Sequence, residues 1–438
     1  MKTKLVITSI LLVLMSFNAY AQDTLRYFHD LENLIYNKSL SLKKDELQLS
    51  RAKAEKLAAL YGLIDPAGSI NGTYTNNTKR PVNLIPSEIL GGQPGTFQEV
   101  QFGTRYVTNI NAYAEIKLIN FQGWENFRQS NINIKVNETG NKVFLKTLLE
   151  NAAVIYFNII NLQEQITAYK LNSAAADTLY RFTLEKYKNG LASHQDLNDS
   201  RVNKLGVEES IRQLQFQTAQ QYVALKILCD FPDDNKLIVA PTMVNSDPDS
   251  LPFVLKNSLI AEHANAQVKL ALSAFDYAKL SFVPYLSVYA AYQKQQFNTH
   301  AALVDRNNNW SESNYIGLKL SVPLPSAESI RQTKRAKYDY LMAEKKAEQK
   351  KNQAELEYRQ LLLEYEKAKS QLLTSREVLE LQNETYKKNL INYNEGIIGL
   401  EPTLNSFNSM IRSQSSYLTA AANLMLAEEN IQINNKIY

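Results

Sequence analysis

The chain has 438 residues, a formal net charge of +4, 45% hydrophobic residues and one cysteine, Cys229. So small a charge gives no electrostatic footprint for nucleic acid, and a lone cysteine excludes an intrachain disulfide, leaving packing or assembly to supply stability. Fourteen glycines are few for this length, against a usual share of about 7%, and that shortage favours long helices.

In chain order, Lys2 and Lys4 precede an apolar run from Leu5 to Met15, and Ala19-Tyr20-Ala21 follows. This is the pattern of a secretory signal peptide over residues 1–21, cleaved after Ala21; its loss takes the charge from +4 to +2. No later apolar run approaches the roughly 20 residues of a transmembrane helix, so a membrane-spanning form of this exported chain uses strands.

Two structural repeats are expected, over 22–230 and 251–438, joined by a connector at 231–250 (FPDDNKLIVAPTMVNSDPDS). Each has the order helix, strand, loop, strand, long helix, turn, helix. The strands are read from period-two alternation. In the first repeat they lie near 66–80, a weaker pattern from Ile70 to Thr75, and near 104–120, where Ile110, Ala112, Ala114, Ile116 and Leu118 alternate with polar residues. In the second they lie near 283–297, with Leu286, Val288, Ala290 and Tyr292, and near 313–323, with Ile316, Leu318, Leu320 and Val322. Polar loops separate each pair: RPVNLIPSEILGGQPGTFQ in the first and QFNTHAALVDRNNNWSES in the second.

After each strand pair the period becomes seven. Leu145, Ala152, Ile159, Ile166, Ser173, Tyr180 and Tyr187 recur at that spacing, as do Tyr358, Tyr365, Leu372, Leu379, Tyr386 and Tyr393. Such a seam is the pattern of coiled-coil packing. Neither 122–188 nor 326–399 contains a proline, so each rod reaches roughly 100 Å at 1.5 Å per residue. The rods end in copies of one stretch, EKYKNGLASHQDLNDS from Glu185 and INYNEGIIGLEPTLNS from Ile391, 206 residues apart. Asn189-Gly190 and Glu395-Gly396 place glycine where a helix ends in a left-handed residue. Helical hairpins with tips near 189–194 and 395–400 follow.

An apolar-faced four-stranded sheet has costly open edges in hydrocarbon, and four strands are too few to close a barrel. Several chains are therefore expected to share one barrel. The junctions EIKLINFQGWENF and LKLSVPLPSAESI, the strand-end prolines in FVPYLSV and LIDPAGS, and the paired Tyr-x-x-Gly turns resemble those of the outer membrane efflux protein family of TolC-type channels, over essentially the whole mature chain. The resemblance implies a mainly α fold with a membrane β-barrel part: four transmembrane strands per protomer, a homotrimer with a 12-stranded barrel, and long coiled-coil hairpins forming a periplasmic α-barrel. It implies a passive duct in the outer membrane of a Gram-negative bacterium. Its partners would be a periplasmic adaptor (a membrane fusion protein), an inner-membrane transporter of RND or ABC type, and the lipid bilayer.

The second junction reads Pro323-Leu324-Pro325 where family members often place an aromatic after the proline; the first has Asn120-Phe121 and no proline. An intact, kinked junction is expected. The apolar residues at the turns, with Asn189, Gly190, Leu191 and Ala192 at one tip and Glu395, Gly396, Ile397 and Ile398 at the other, suggest a partner surface; the resemblance assigns them to the adaptor. Tyr187, Asp196, Asp199, Tyr393 and Glu401 form the candidate tunnel entrance or gate, either as an acidic ring or, for the two aspartates, as residues serving a helix N-terminus. Some TolC-type channels hold the entrance shut with an arginine where this chain has Ile398.

His29, His194, His263 and His300 lack metal-ligand spacing, and no phosphate loop or nucleophile elbow occurs. No cofactor, enzyme activity or nucleic-acid partner is expected. Two alternatives stay open: an outer-membrane channel for type I protein secretion, and a periplasmic coiled-coil scaffold without a pore.

Overall fold

A computed structural model describes residues 23–232, 237–240 and 258–436. The expected signal peptide, most of the connector and the first residues of the second repeat lie outside the described residues. The elements are β1 (Asp23–Leu25), α1 (Phe28–Lys38), α2 (Leu40–Tyr61), β2 (Ala67–Asn76), β3 (Val82–Pro86), β4 (Phe97–Gln101), β5 (Tyr106–Ile119), α3 (Phe121–Lys188), α4 (His194–Cys229), β6 (Leu237–Val239), α5 (Leu259–Lys279), β7 (Tyr285–Asn298), β8 (Trp310–Ser321), α6 (Ala327–Asn394) and α7 (Leu400–Lys436). They form two compact units. One contains the chain up to Gln48, Glu138–Ala264 and everything from Ala347; the other contains Leu49–Asn137 and Asn265–Lys346.

α3 and α6 are 68 residues long, and the first unit takes α3 from Glu138 and α6 from Ala347. The main core forms where α1 lays Phe28, Leu31 and Ile35 on the α3 residues Leu149, Ala152, Tyr156, Ile159 and Ile160, closed by Leu225 and Ile433. The Phe28 ring meets Tyr156 edge-on with centroids 5.6 Å apart. Burying each large apolar side chain contributes about 1.5–3 kcal/mol. By length and composition alone α3 is long and apolar enough to cross a membrane. Its apolar residues Leu148, Leu149, Ala152, Ala153 and Ile160 instead fill the core.

The short parallel pair β1·β6, with Thr24 opposite Ile238 and Leu25 opposite Val239, was not legible in sequence. Three residues are too few to display a period. Asp230, in the left-handed conformation at φ 58°, ends α4, and its carboxylate accepts from the Ser41 N–H (3.0 Å) and the Ser39 hydroxyl (3.4 Å) at the start of α2. One side chain thus serves two helix ends. Burial pushes the neighbouring Cys229 thiol up to about 12, helped by Asp230, so this cysteine is unreactive.

Glu429 of α7 is half-buried, and desolvation raises its carboxyl to about 7. Lys436 and His29 oppose the rise, while Glu32 and Glu428 add to it. The folded state therefore holds this proton more tightly than the unfolded chain, so the stability this group contributes is fully present in acid and is lost as pH rises through about 7. The unfolding midpoint is expected to rise when pH falls from 8 to 6, and Glu429→Gln is expected to remove most of that rise. Identical pH profiles for the two proteins in thermal melts would refute the assignment.

In the second unit, β2, β5, β7 and β8 form one antiparallel sheet in the order β2-β5-β7-β8. The register sets Ile70, Ala112, Tyr292 and Asn314 in one row, and Gly68, Ala114, Ala290 and Ile316 in the next on the same face. The opposite face carries Asn111, Tyr113, Glu115, Ser287, Tyr289, Gln293 and Lys319. Burial is inverted relative to a soluble sheet. On the apolar face Ile70 and Ile316 are 80% exposed and Leu318 and Leu320 69%, whereas Ser287 on the polar face is fully buried. The polar face is thus the sheltered one, and β2 and β8 are open edges.

The loop between β2 and β5 contains the hairpin β3–β4, which the sequence pattern did not suggest. Pro81 and Pro86 punctuate it, and proline marks a loop unless the strand is an edge, as β3 is. Both long helices have N-caps at copied positions. The Asn120 side chain accepts from the Gly123 N–H at 3.0 Å, and the Ser326 hydroxyl accepts from the Ser329 N–H at 3.1 Å. Asn120 also donates to the Gly62 carbonyl at 3.0 Å. These caps give each junction a defined helix start, with proline in only one of them.

Candidate functional site

The repeated stretches form two helical turns within the first unit. α3 ends at Lys188, and Gly190 follows at φ 73°; its N–H donates to the Tyr187 carbonyl (3.0 Å), while that of Leu191 donates to Lys186 (2.8 Å). α6 ends at Asn394 and repeats the pattern: Gly396 at φ 77°, its N–H to Tyr393 (3.1 Å), and Ile397 N–H to Asn392 (2.8 Å). Both are Schellman motifs. No atom outside the local chain lies within 4 Å of a Cβ built on either glycine, so any cost of substitution is conformational. Gly190→Ala and Gly396→Ala are each expected to lose about 1–2 kcal/mol, and asparagine at either site less. Chemical unfolding of the four variants checks the ranking, and alanine proving harmless would refute it.

A Schellman turn usually packs the residue after glycine on an apolar side chain one turn back. Here that position is Lys186 in one copy and Asn392 in the other. Leu191 and Ile397 consequently project outward, 75% and 65% exposed. Asn189 and Glu395 are exposed and Ala192 half-buried. Ile398 points the other way, packing on the cluster of Leu179, Tyr393 and Leu400.

The second helices start differently. Ser193 caps α4 by accepting from the Asp196 N–H (3.0 Å), and the Asp196 carboxylate accepts from the Ser193 N–H (2.8 Å) and hydroxyl (2.7 Å), a complete capping box. In the copy, Gly399 has no acceptor side chain, and the third helical residue is Pro402, which has no N–H to satisfy. The loss of donor matches the loss of acceptor. Asp196 is therefore engaged in capping, whereas Asp199 and Glu401 are exposed.

The two hairpins are tied through the candidate residue Tyr393, by Thr183 and by Lys186, a lysine the sequence did not single out. Tyr393 is buried, its hydroxyl donates to the Thr183 hydroxyl at 3.1 Å, and that hydroxyl donates in turn to the Leu179 carbonyl. Lys186 donates to the Tyr393 carbonyl at 2.5 Å and lies 4.1 Å from the centre of the Tyr393 ring and 4.9 Å from that of Phe182. A cation at that helix C-terminus opposes the negative end of its dipole. Burial raises the Tyr393 hydroxyl, with Asp196 adding to the effect. Its copy Tyr187 is instead 39% exposed and packs edge-on against His194. Comparing the copies where they differ, Lys186 against Asn392, would have flagged the lysine; comparing where they agree did not. Among the described residues no cluster suited to a metal occurs.

Long paired helical hairpins thus characterise one unit, and a sheet whose apolar face is bare characterises the other. Residues 254–437 match the model of the outer membrane efflux protein family. The fold is similar to that of CusC, at TM-score 0.76 and 18% identity, covering 93% of this chain and 91% of that one. It is also similar to the CmeC outer membrane channel of Campylobacter jejuni (TM-score 0.72, 15% identity, 93% and 85% covered). VceC, an outer membrane protein of Vibrio cholerae, gives TM-score 0.72 at 15% identity with 92% and 95% covered. Among curated protein sequences no relative matches the chain.

Proposed function

We propose that this protein is the outer-membrane channel of a tripartite efflux pump: a passive, trimeric exit duct docking a periplasmic adaptor and an inner-membrane transporter. The inverted burial of the four-stranded sheet carries this reading. An apolar face with Ile316 80% exposed belongs in lipid, and the sheltered polar face belongs on a lumen. The open edges β2 and β8 pair between neighbouring copies, and three sheets close a 12-stranded barrel. The long hairpins occupy the periplasm, and their tips present Leu191 and Ile397 to the adaptor. Energy for transport comes from the inner-membrane partner.

Cell fractionation with unboiled gel electrophoresis tests the proposal. An outer-membrane species near three times the mature mass, falling to monomer on heating, is the expected result. A soluble periplasmic monomer would overturn it in favour of a scaffold without a pore.

A further inference from the structure

On the polar face of the sheet, three tyrosines from three adjacent strands sit together. Tyr113 of β5 and Tyr289 of β7 are stacked, with centroids 6.2 Å apart and planes at 28°. Tyr315 of β8 meets Tyr289 edge-on at 6.0 Å and 77°. The strand register explains the grouping: Tyr113 pairs with Ala291, which pairs with Tyr315, and Tyr289 lies one row away between Glu115 and Gly317.

Tyr289 is laid flat on its neighbour strand. A Cβ built on Gly317 would fall 2.8 Å from the Tyr289 ring, so this close approach requires glycine. The ring is thereby held as a shelf, with Tyr113 and Tyr315 at its sides. The small side chain of Ala291, 6% exposed, forms the floor between Tyr113 and Tyr315. The cluster is anchored from one side. Tyr113 donates to the Glu115 carboxylate, which also accepts from the Ser287 hydroxyl at 2.6 Å. Lys319 lies 3.4 Å from the same carboxylate, so the local charges balance and recognition falls to the rings. Tyr315 is 54% exposed and Tyr289 half-buried, leaving ring surface free on a face that otherwise carries polar and charged side chains.

We infer that this tyrosine cradle is a stacking site for planar aromatic solutes on the inner wall of the duct. Aromatic pairs gain from offset or edge-on geometry beyond the area they bury, and rings already packed on one another, with Tyr113 held by Glu115, lose less freedom on binding. The site rests on the channel reading only for its placement on a lumen; its chemistry belongs to the sheet itself.

The test uses proflavine, a planar tricyclic cation, against tetrabutylammonium, an aliphatic cation of the same charge. Binding is read by proflavine fluorescence anisotropy on the purified full-length protein in detergent. Block is read as reduced single-channel current in a planar bilayer. The wild-type protein is expected to bind proflavine and to be blocked by it at concentrations where tetrabutylammonium has no effect. Tyr315→Leu and Tyr289→Leu are each expected to weaken both signals by about two- to tenfold, the range of one aromatic pair, and Tyr289→Phe to retain them. Tyr315→Leu alters the most exposed ring and keeps the test valid if Tyr289→Leu unfolds the sheet. Equal block by both cations, or proflavine binding unchanged in the leucine variants, would overturn the site while leaving the channel intact. Ring-dependent binding with no conductance in any form would uphold the site and overturn the channel reading.

Discussion

A Leu318→Arg chain is expected to keep its helical unit folded and to lose the heat-sensitive oligomer in the outer membrane. Leu318 stands on β8 opposite Val288, between Ile316 and Leu320 on the bare face, and is 69% exposed. In a soluble protein, a charge at so open a position would change stability by at most about 0.5 kcal/mol. At the bilayer midplane an arginine costs about 2–4 kcal/mol, and the proposed trimer would suffer it in every copy. Ser313→Arg is the control, because Ser313 lies opposite Gln293 on the polar face, which the proposed duct turns toward water. Fractionation and unboiled electrophoresis of both variants decide the matter. A Leu318→Arg trimer at wild-type abundance would mean that this face does not meet lipid.

The parts of the fold legible in sequence were those whose signal is local. Ile316, Leu318 and Leu320 announce a one-faced strand by themselves, because a period of two shows within five residues. Gly190 and Gly396 announce helix ends because glycine alone enters the left-handed region freely. The polar face was equally written in the alternation, but the gathering of Tyr113, Tyr289 and Tyr315 depends on strand register, which single strands do not reveal. Of the candidate site, the exposed Leu191 and Ile397 could be read from the turn. The tie between Lys186 and Tyr393, 207 residues apart, could not, since it forms only when two hairpins meet. Asp196 shows the converse limit. Its position suits both an acidic ring and a helix cap, and the geometry of Ser193 places it in the cap.

Phe407→Ala is expected to have the largest effect on the tips without touching them. Phe407 is fully buried in α7, its ring 5.2 Å from that of Tyr386 of α6, and it packs in one cluster with Ala176 of α3, Val207 of α4 and Met410. Four helices converge on this side chain, so truncation removes contacts from both hairpins at once and costs about 3–5 kcal/mol. The loss falls between the tips and the main core around Tyr156, leaving the latter intact. Hydrogen exchange is therefore expected to quicken over 176–207 and 386–411, while α1 and the sheet strands keep wild-type protection. Leu191→Ser combined with Ile397→Ser supplies the contrast, because those side chains are exposed and their change leaves exchange unaltered. If the tips dock a partner through their apolar residues, both proteins lose capture of the adaptor, one by misplacing the surface and the other by removing it. Capture retained by the double serine variant but lost in Phe407→Ala would show that the partner reads the spacing of the hairpins rather than their exposed apolar side chains.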